Sequence, residues 1–233
     1  MVEYYLNVED VISDFLRTFM IDPRNRAEDS ISNTFSATAS QTIFEITPTV
    51  GSVSCITKLT VNGSEKTKWK DYFWDYQNSK VTFYDALTLA DVVIVTFKQG
   101  ITNWIYSDRP DEALKDASFP RISIFTTGGG GNKIGGYKAD IDSKPSIQID
   151  CWAKIAQPFT IDGRKYSNEY LGRYLGNKVV DAFDDNEDVM FGVFYDFDLV
   201  GYPRGGPYSE EYAAHHTVVE VRVKGLHLGR IIK

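Results

Sequence analysis

From Tyr106 to Lys154 the chain carries a pattern that leaves few folds open: two alternating runs joined by a long, glycine-rich stretch. In the first run, Phe119 to Phe125, Ile122 and Ile124 fall on one face. In the second, Ser146 to Lys154, the inward set is Ile147, Ile149, Cys151 and Ala153, while Gln148, Asp150 and Lys154 face away. A period of two with one apolar face predicts a half-buried antiparallel pair. About twenty residues of low apolar content separate the runs, far more than a hairpin loop needs. Gly128 to Gly136 holds six glycines, and glycine gives up the most conformational freedom on ordering. The connection is therefore expected to be mobile in the free chain and ordered by a neighbour.

The rest of the chain falls into place around this pair. Val8, Val11, Ile12, Phe15, Leu16 and Phe19 recur at helical spacing, so a helix is predicted with Asn7 as its cap and Asp22-Pro23 as its end. Arg24 to Thr34 reads as a polar connector. From Phe35 to Phe97 the period becomes two, with turn signals at Gly51, Asn62-Gly63, Gln77 to Ser79 and Ala90-Asp91, which predicts a compact all-β unit. Asp111 to Asp116 allows one or two helical turns at most. Gln157 to Gly163 reads as a turn, and Ser167 is positioned to cap a second helix whose inward face is Leu171, Leu175, Val179 and Ala182. Gly172 and Gly176 each weaken that helix by roughly 1 kcal/mol relative to alanine, which argues for close packing against a neighbour. Val193, Tyr195, Phe197 and Leu199, then Val219, Val221 and Val223, give two more strands, joined by the long turn-rich stretch Gly201 to Glu211. The expected fold is α+β: a four-stranded antiparallel sheet with helices on one face, from residues 1–33 and 99–233, with a small sandwich-like all-β domain inserted at 34–98.

The chemistry of the chain narrows its function more by exclusion than by motif. Lys and Arg number 25 against 32 Asp and Glu, a net charge of −7, and the cations form no run. A protein that wraps nucleic acid needs clustered cations. No window approaches the eighteen apolar residues of a membrane span, and Met1 to Tyr5 has neither the basic nor the apolar region of a signal peptide, so the chain is expected to be cytosolic when made. Cys55 and Cys151 lack metal or redox spacing, and Cys151 is read as a small buried hydrophobe. The glycine stretch matches neither phosphate-binding motif, because Lys133 stands where a third glycine would be needed and Ile134 follows it in place of Ser or Thr. His215 and His216 are strand neighbours on opposite faces and read as a surface pair. Asp196 and Asp198 share a face; a carboxylate pair, or a calcium site with Asp184, Asp185, Glu187 and Asp188, is weighed against a solvated acidic face, and the last reading is preferred. The sequence is read as having no catalytic, cofactor-binding or metal-binding residues. Aromatics of the β unit could form a sugar platform but suffice to fill a small core.

The order of these parts resembles a family. The helix Asn7 to Met20, the stretch Trp104 to Pro110 running into Phe119 to Ile124, the strand Ile147 to Trp152, the helix Tyr166 to Phe183 and the last strand Val218 to Val223 are similar to the tail terminator and tail-completion proteins of long-tailed bacteriophages. The insertion, through Phe35 to Phe44, Leu59 to Gly63, Asp71-Tyr72, Lys80 to Phe83 and Asp91 to Val95, resembles a small β-sandwich module of phage tail and fibre proteins, which ordinary terminators lack. The resemblance implies a structural virion protein and not an enzyme: a homohexameric ring that caps the tail tube, ends its growth and joins tail to neck. Implied partners are the tail tube protein, neck and connector proteins, and the sheath where the tail contracts. Genomic DNA would pass the acidic channel without specific binding, and no membrane is involved. The implied location is the virion neck, with assembly in the host cytoplasm. On this reading the two long loops meet a neighbouring subunit or the tube, at Gly129, Asn132, Lys133, Tyr137, Arg204 and Tyr208. The competing expectations are a head-completion adaptor or stopper, and a glycan-binding module.

Overall fold

A computed structural model describes residues 8–26, 29–75, 78–100, 103–107, 119–128, 131–133, 141–143, 146–154, 159–161, 163–166, 168–201, 203–206 and 213–226. The fold is mixed α+β, mostly sheet, with three helices among the described residues. Asn7, Asp111 to Asp116, Ser167 and the site candidates Gly129, Tyr137 and Tyr208 lie outside the described residues. By its contacts the chain divides into two units, one of residues 8–24 and 104–226 and the other of 25–103. The division thus falls at 25 and 103, against the 34 and 98 read from the sequence.

The second unit is all β. Its strands are β1 (Asp29–Ser36), β2 (Ile43–Glu45), β3 (Ser52–Val61), β4 (Ser64–Glu65), β5 (Tyr72–Asp75), β6 (Lys80–Phe83) and β7 (Val92–Gly100). They form a four-stranded antiparallel sheet in the order β1-β7-β3-β4 and a three-stranded antiparallel sheet in the order β2-β6-β5. One cluster of buried side chains draws on both sheets: Phe44, Tyr72, Trp74, Val81 and Phe83 from the smaller, Ile56, Leu59, Val93, Val95 and Phe97 from the larger. Asn62 and Gly63 turn β3 into β4 with φ of 50° and 80°, the pair of positive values that an Asn-Gly hairpin turn supplies. The stretch expected as a polar connector is instead β1 from Asp29 onward. It pairs with β7 from Asp29↔Gln99 to Ser36↔Val92, and only Ile31 and Phe35 pack on the core. An edge strand with few inward apolar groups reads as loop because its stability comes from the ladder.

The first unit opens with α1 (Val8–Phe19). Val11, Ile12, Phe15 and Leu16 are buried as the stripe requires, but Phe19 is 41% exposed, and Ser13, Asp14 and Arg17 are buried as well. Arg17 is kept inside by bonds from Nε and Nη2 to the carbonyl of Ile105, at 3.0 and 2.5 Å. That carbonyl belongs to β8 (Ile105–Tyr106), which pairs in parallel with β9 (Arg121–Gly128). Next come β10 (Gly131–Lys133), β11 (Ile141–Ser143), β12 (Ser146–Lys154), β13 (Phe159–Ile161), β14 (Arg164–Tyr166), α2 (Asn168–Asp184), α3 (Glu187–Val193), β15 (Phe194–Leu199), β16 (Arg204–Gly205) and β17 (Ala214–Leu226).

The four strands expected from alternation are neighbours in one antiparallel run, β15-β17-β12-β9, and β8 and β16 extend it to six strands. Ile122, Ile124, Ile147, Ile149, Cys151, Thr217, Val219 and Val221 are completely buried, and the registers Ile149↔Ile124, Ile149↔Val219 and Cys151↔Thr217 put them on one face. Helices α1 and α2 both pack on this sheet and meet each other, with the Phe15 and Phe183 rings stacked at 5.1 Å. Two long connections also carry structure. Between β9 and β12 the backbone pairs again, Gly131↔Ser143 to Lys133↔Ile141, so the long connection contains a two-stranded ribbon. Between β15 and β17, Arg204 and Gly205 rejoin the sheet opposite Val218 and Thr217.

Candidate interaction surface

Of the residues expected at a contact surface, Asn132, Lys133 and Arg204 are described, and their backbone positions stand apart. Asn132 and Lys133 sit on the ribbon, opposite Asp142 and Ile141. Arg204 is exposed on the outer strand, its Nη2 3.7 Å from Glu220 Oε2. Arg204 pairs with Val218, whereas the ribbon begins beyond Ser146, the register partner of Arg222. Four strand residues, about 13 Å, therefore lie between them at the least.

The sheet face away from the helices is polar, as the alternation indicates, yet much of it is buried. Arg121, Ser123 and Asp150 are 2%, 0% and 4% exposed. The Arg121 guanidinium lies 4.1 Å from the Tyr106 ring centroid, Nε of Arg121 donates to Ser123 Oγ at 3.1 Å, and Gln148 Nε2 donates to Asp150 Oδ1 at 2.8 Å. Trp152 stacks on His216 at 4.4 Å, so His216 is half-buried in place of the surface position expected for it. Burial, followed by the Asp150 charge, pushes the Cys151 thiol well above its ordinary range, which makes it an inert core group. Asp196 and Asp198 are exposed and stand opposite Lys224 and Arg222 in the ladder. Among the described residues no three His, Cys, Asp or Glu side chains gather closely enough to hold a metal ion.

A different set of side chains forms an open groove of about 420 Å³. Its floor comes from the β13–β14 hairpin, where Gly163 turns the chain at φ 76°, a value that glycine takes without strain. The sequence reads this segment only as a turn. The hairpin contributes Arg164, Lys165 and Tyr166; α2 contributes Tyr170, Arg173, Tyr174 and Asn177. The helical residues stand at i, i+3, i+4 and i+7, a second stripe beside the buried Leu171, Leu175 and Val179. The Tyr166 and Tyr174 rings meet at 4.6 Å, Tyr170 is 72% exposed, and Arg173 Nη2 reaches Glu169 Oε1 at 2.5 Å. Three cations against one carboxylate make a locally basic, aromatic surface on an acidic chain. Such a surface suits acidic or flat partners.

Sequence reasoning passed over this groove. The signal available was the spacing of Tyr170, Arg173, Tyr174 and Asn177, which a search for one apolar face ignores. No protein-family model matches the chain, and no curated protein matches it.

Proposed function

We propose that the chain is a structural virion protein that assembles into a ring at the end of a phage tail tube, ending tail growth and joining tail to neck. The observation that carries this reading is the central hairpin: β9 and β12 form the middle of a sheet backed by helices, and the stretch that joins them holds the β10–β11 ribbon, with β11 lying beside β17. A ribbon held at the end of a rigid layer suits contact with the next subunit or with the tube. The second unit, read as an inserted β-sandwich, would decorate the neck or touch a collar protein. Its buried Phe44, Tyr72, Trp74, Phe83 and Phe97 are committed to its own core, which disfavours a sugar platform built on them. No helix among the described residues is long and apolar enough to cross a membrane. Six subunits, the tube protein, neck proteins and a virion location follow from the resemblance and belong to the same proposal. A cryo-EM map of the particle is the test: the expected result is a ring of this chain on the last tube layer, and a two-fold dimer, or a location away from the tail end, would refute it.

A further inference from the structure

The two ends of helix α2 carry opposite charge. At its start Arg164 and Lys165 of the preceding hairpin and Arg173 of the helix gather beside Glu169, the acid of the first turn. At its end the last turn has no basic residue; Asp184 and Asp185 stand there, followed by Glu187 and Asp188 in the first turn of α3, all exposed. Each end also presents apolar surface. Tyr170 stands out from the groove, and Val189 and Phe191 are 39% and 42% exposed beside the acids. From Arg173 to Asp184 is about 16 Å along the axis, so one copy of α2 cannot bring its two ends together.

We propose that the groove receives the 184–191 segment of a second copy of this chain. In this head-to-tail contact Arg164, Lys165 and Arg173 face the acidic run, and Phe191 lies against Tyr170 and Tyr174. The inference rests on the ring reading above, because a contact between two different surfaces of one chain is the kind that closes into a ring. A nucleic-acid strand would also suit cations and stacked tyrosines, but it would leave the acidic end unexplained and would meet a chain of net charge −7. Self-contact accounts for both ends at once.

The test uses the full chain and two charge reversals, R164E/K165E/R173E and D184K/D185K/E187K/D188K, followed by sedimentation velocity and native mass spectrometry at low salt. Wild type is expected to self-associate, and less so as salt rises. Each reversal alone should weaken association roughly tenfold or more, while an equimolar mixture of the two restores it, since the acidified groove then meets a basic segment. All seven positions are exposed, so each variant should still fold cooperatively; a thermal melt of each separates lost contact from lost folding. Association unchanged by either reversal, a mixture that fails to associate, or a wild type that stays monomeric overturns the contact. Rings that persist in both variants overturn the contact while sparing the ring reading, which the particle map judges separately. If the groove reversal abolishes binding of a fluorescent single-stranded oligonucleotide and leaves self-association intact, the groove is a nucleic-acid site and the proposal falls.

Discussion

Replacing Gly176 with alanine should destabilise the first unit, although the same change in an exposed helix stabilises. Alanine is better than glycine in a helix interior by about 1 kcal/mol. A Cβ at position 176 would stand 2.9 Å from Pro203 Cβ and 2.9 Å from Thr217 Cγ2, whereas carbon atoms rest at about 3.5–4.0 Å. Neither neighbour can give way cheaply. The proline ring is closed, and Thr217 is completely buried on a strand paired on both sides. Overpacking of this kind costs about 1–3 kcal/mol, so the net change is a loss of up to about 2 kcal/mol. At Gly172 the nearest atoms are Thr217 Oγ1 at 3.1 Å and the Cys151 carbonyl oxygen at 3.3 Å, a milder conflict that should roughly cancel the helical gain. Gly192 in α3 has nothing within 4 Å, and alanine there should stabilise by up to about 1 kcal/mol. The assay is urea unfolding followed by hydrogen exchange at the β17 amides, which reports this unit apart from the other. The expected order of stability is Gly192→Ala, then Gly172→Ala, then Gly176→Ala. Adding Thr217→Ser removes the clashing methyl and should return part of the loss. If Gly176→Ala stabilises as much as Gly192→Ala, the close seating of α2 on β17 is refuted.

Two further outcomes follow from the second unit. Asp91 accepts bonds from Thr88 Oγ1 at 2.7 Å, Asn62 Nδ2 at 2.7 Å and Thr88 N at 2.8 Å, and these hold its carboxyl below the ordinary carboxylate value of 3.8. Folding favours the ionised form, so its contribution is complete above that value and is lost as pH falls through the lowered one; Asp91→Asn should flatten this acid-side loss in thermal melts, and parallel pH profiles for variant and wild type would contradict it. Replacing residues 26–102 with a short flexible linker should leave the first unit folding cooperatively. Both stumps reach the start of β9, Arg24 through Nη1 to the Phe119 carbonyl at 3.0 Å and Trp104 through its carbonyl to Ile122 N at 2.8 Å, and closing a loop between near ends costs little. Excision at 34–98 should do worse because it leaves remnants of β1 and β7; loss of cooperative urea unfolding in the 26–102 excision would show that the units share a core.

Alternation carried the central strands because burial of one face pins the register: slipping Ile147, Ile149 and Cys151 by one residue would turn Asp150 toward the helices. The same logic fails for β1, where Ser30, Ser32 and Thr34 give the sequence a loop-like look while backbone pairing with β7 supplies the order. It fails for β16, two residues long, which exists only because a longer strand lies alongside. It also fails for α1, where Asp14 and Arg17 are buried; a helical stripe identifies the most apolar face and is blind to a polar face whose bonds lie 88 residues away, as with Arg17 and Ile105.

The groove was illegible for a related reason. Arg164 and Lys165 become neighbours of Tyr170 and Arg173 only after the β13–β14 hairpin folds back beside α2, and no pattern within either segment announces that meeting. The two glycines, by contrast, were legible because they break a local rule. Helix α2 gives up propensity at Gly172 and Gly176 to lie close to β17. That loss is offset inside the chain, where packing against Thr217 and Pro203 is visible. The charged groups around its two ends have no such counterpart among the described ion pairs, since Arg164, Lys165, Glu187 and Asp188 take part in none of them. The contact proposed between copies would give all four a partner of opposite charge, which is why the charge reversals, and not the glycine substitutions, test the outward side of α2.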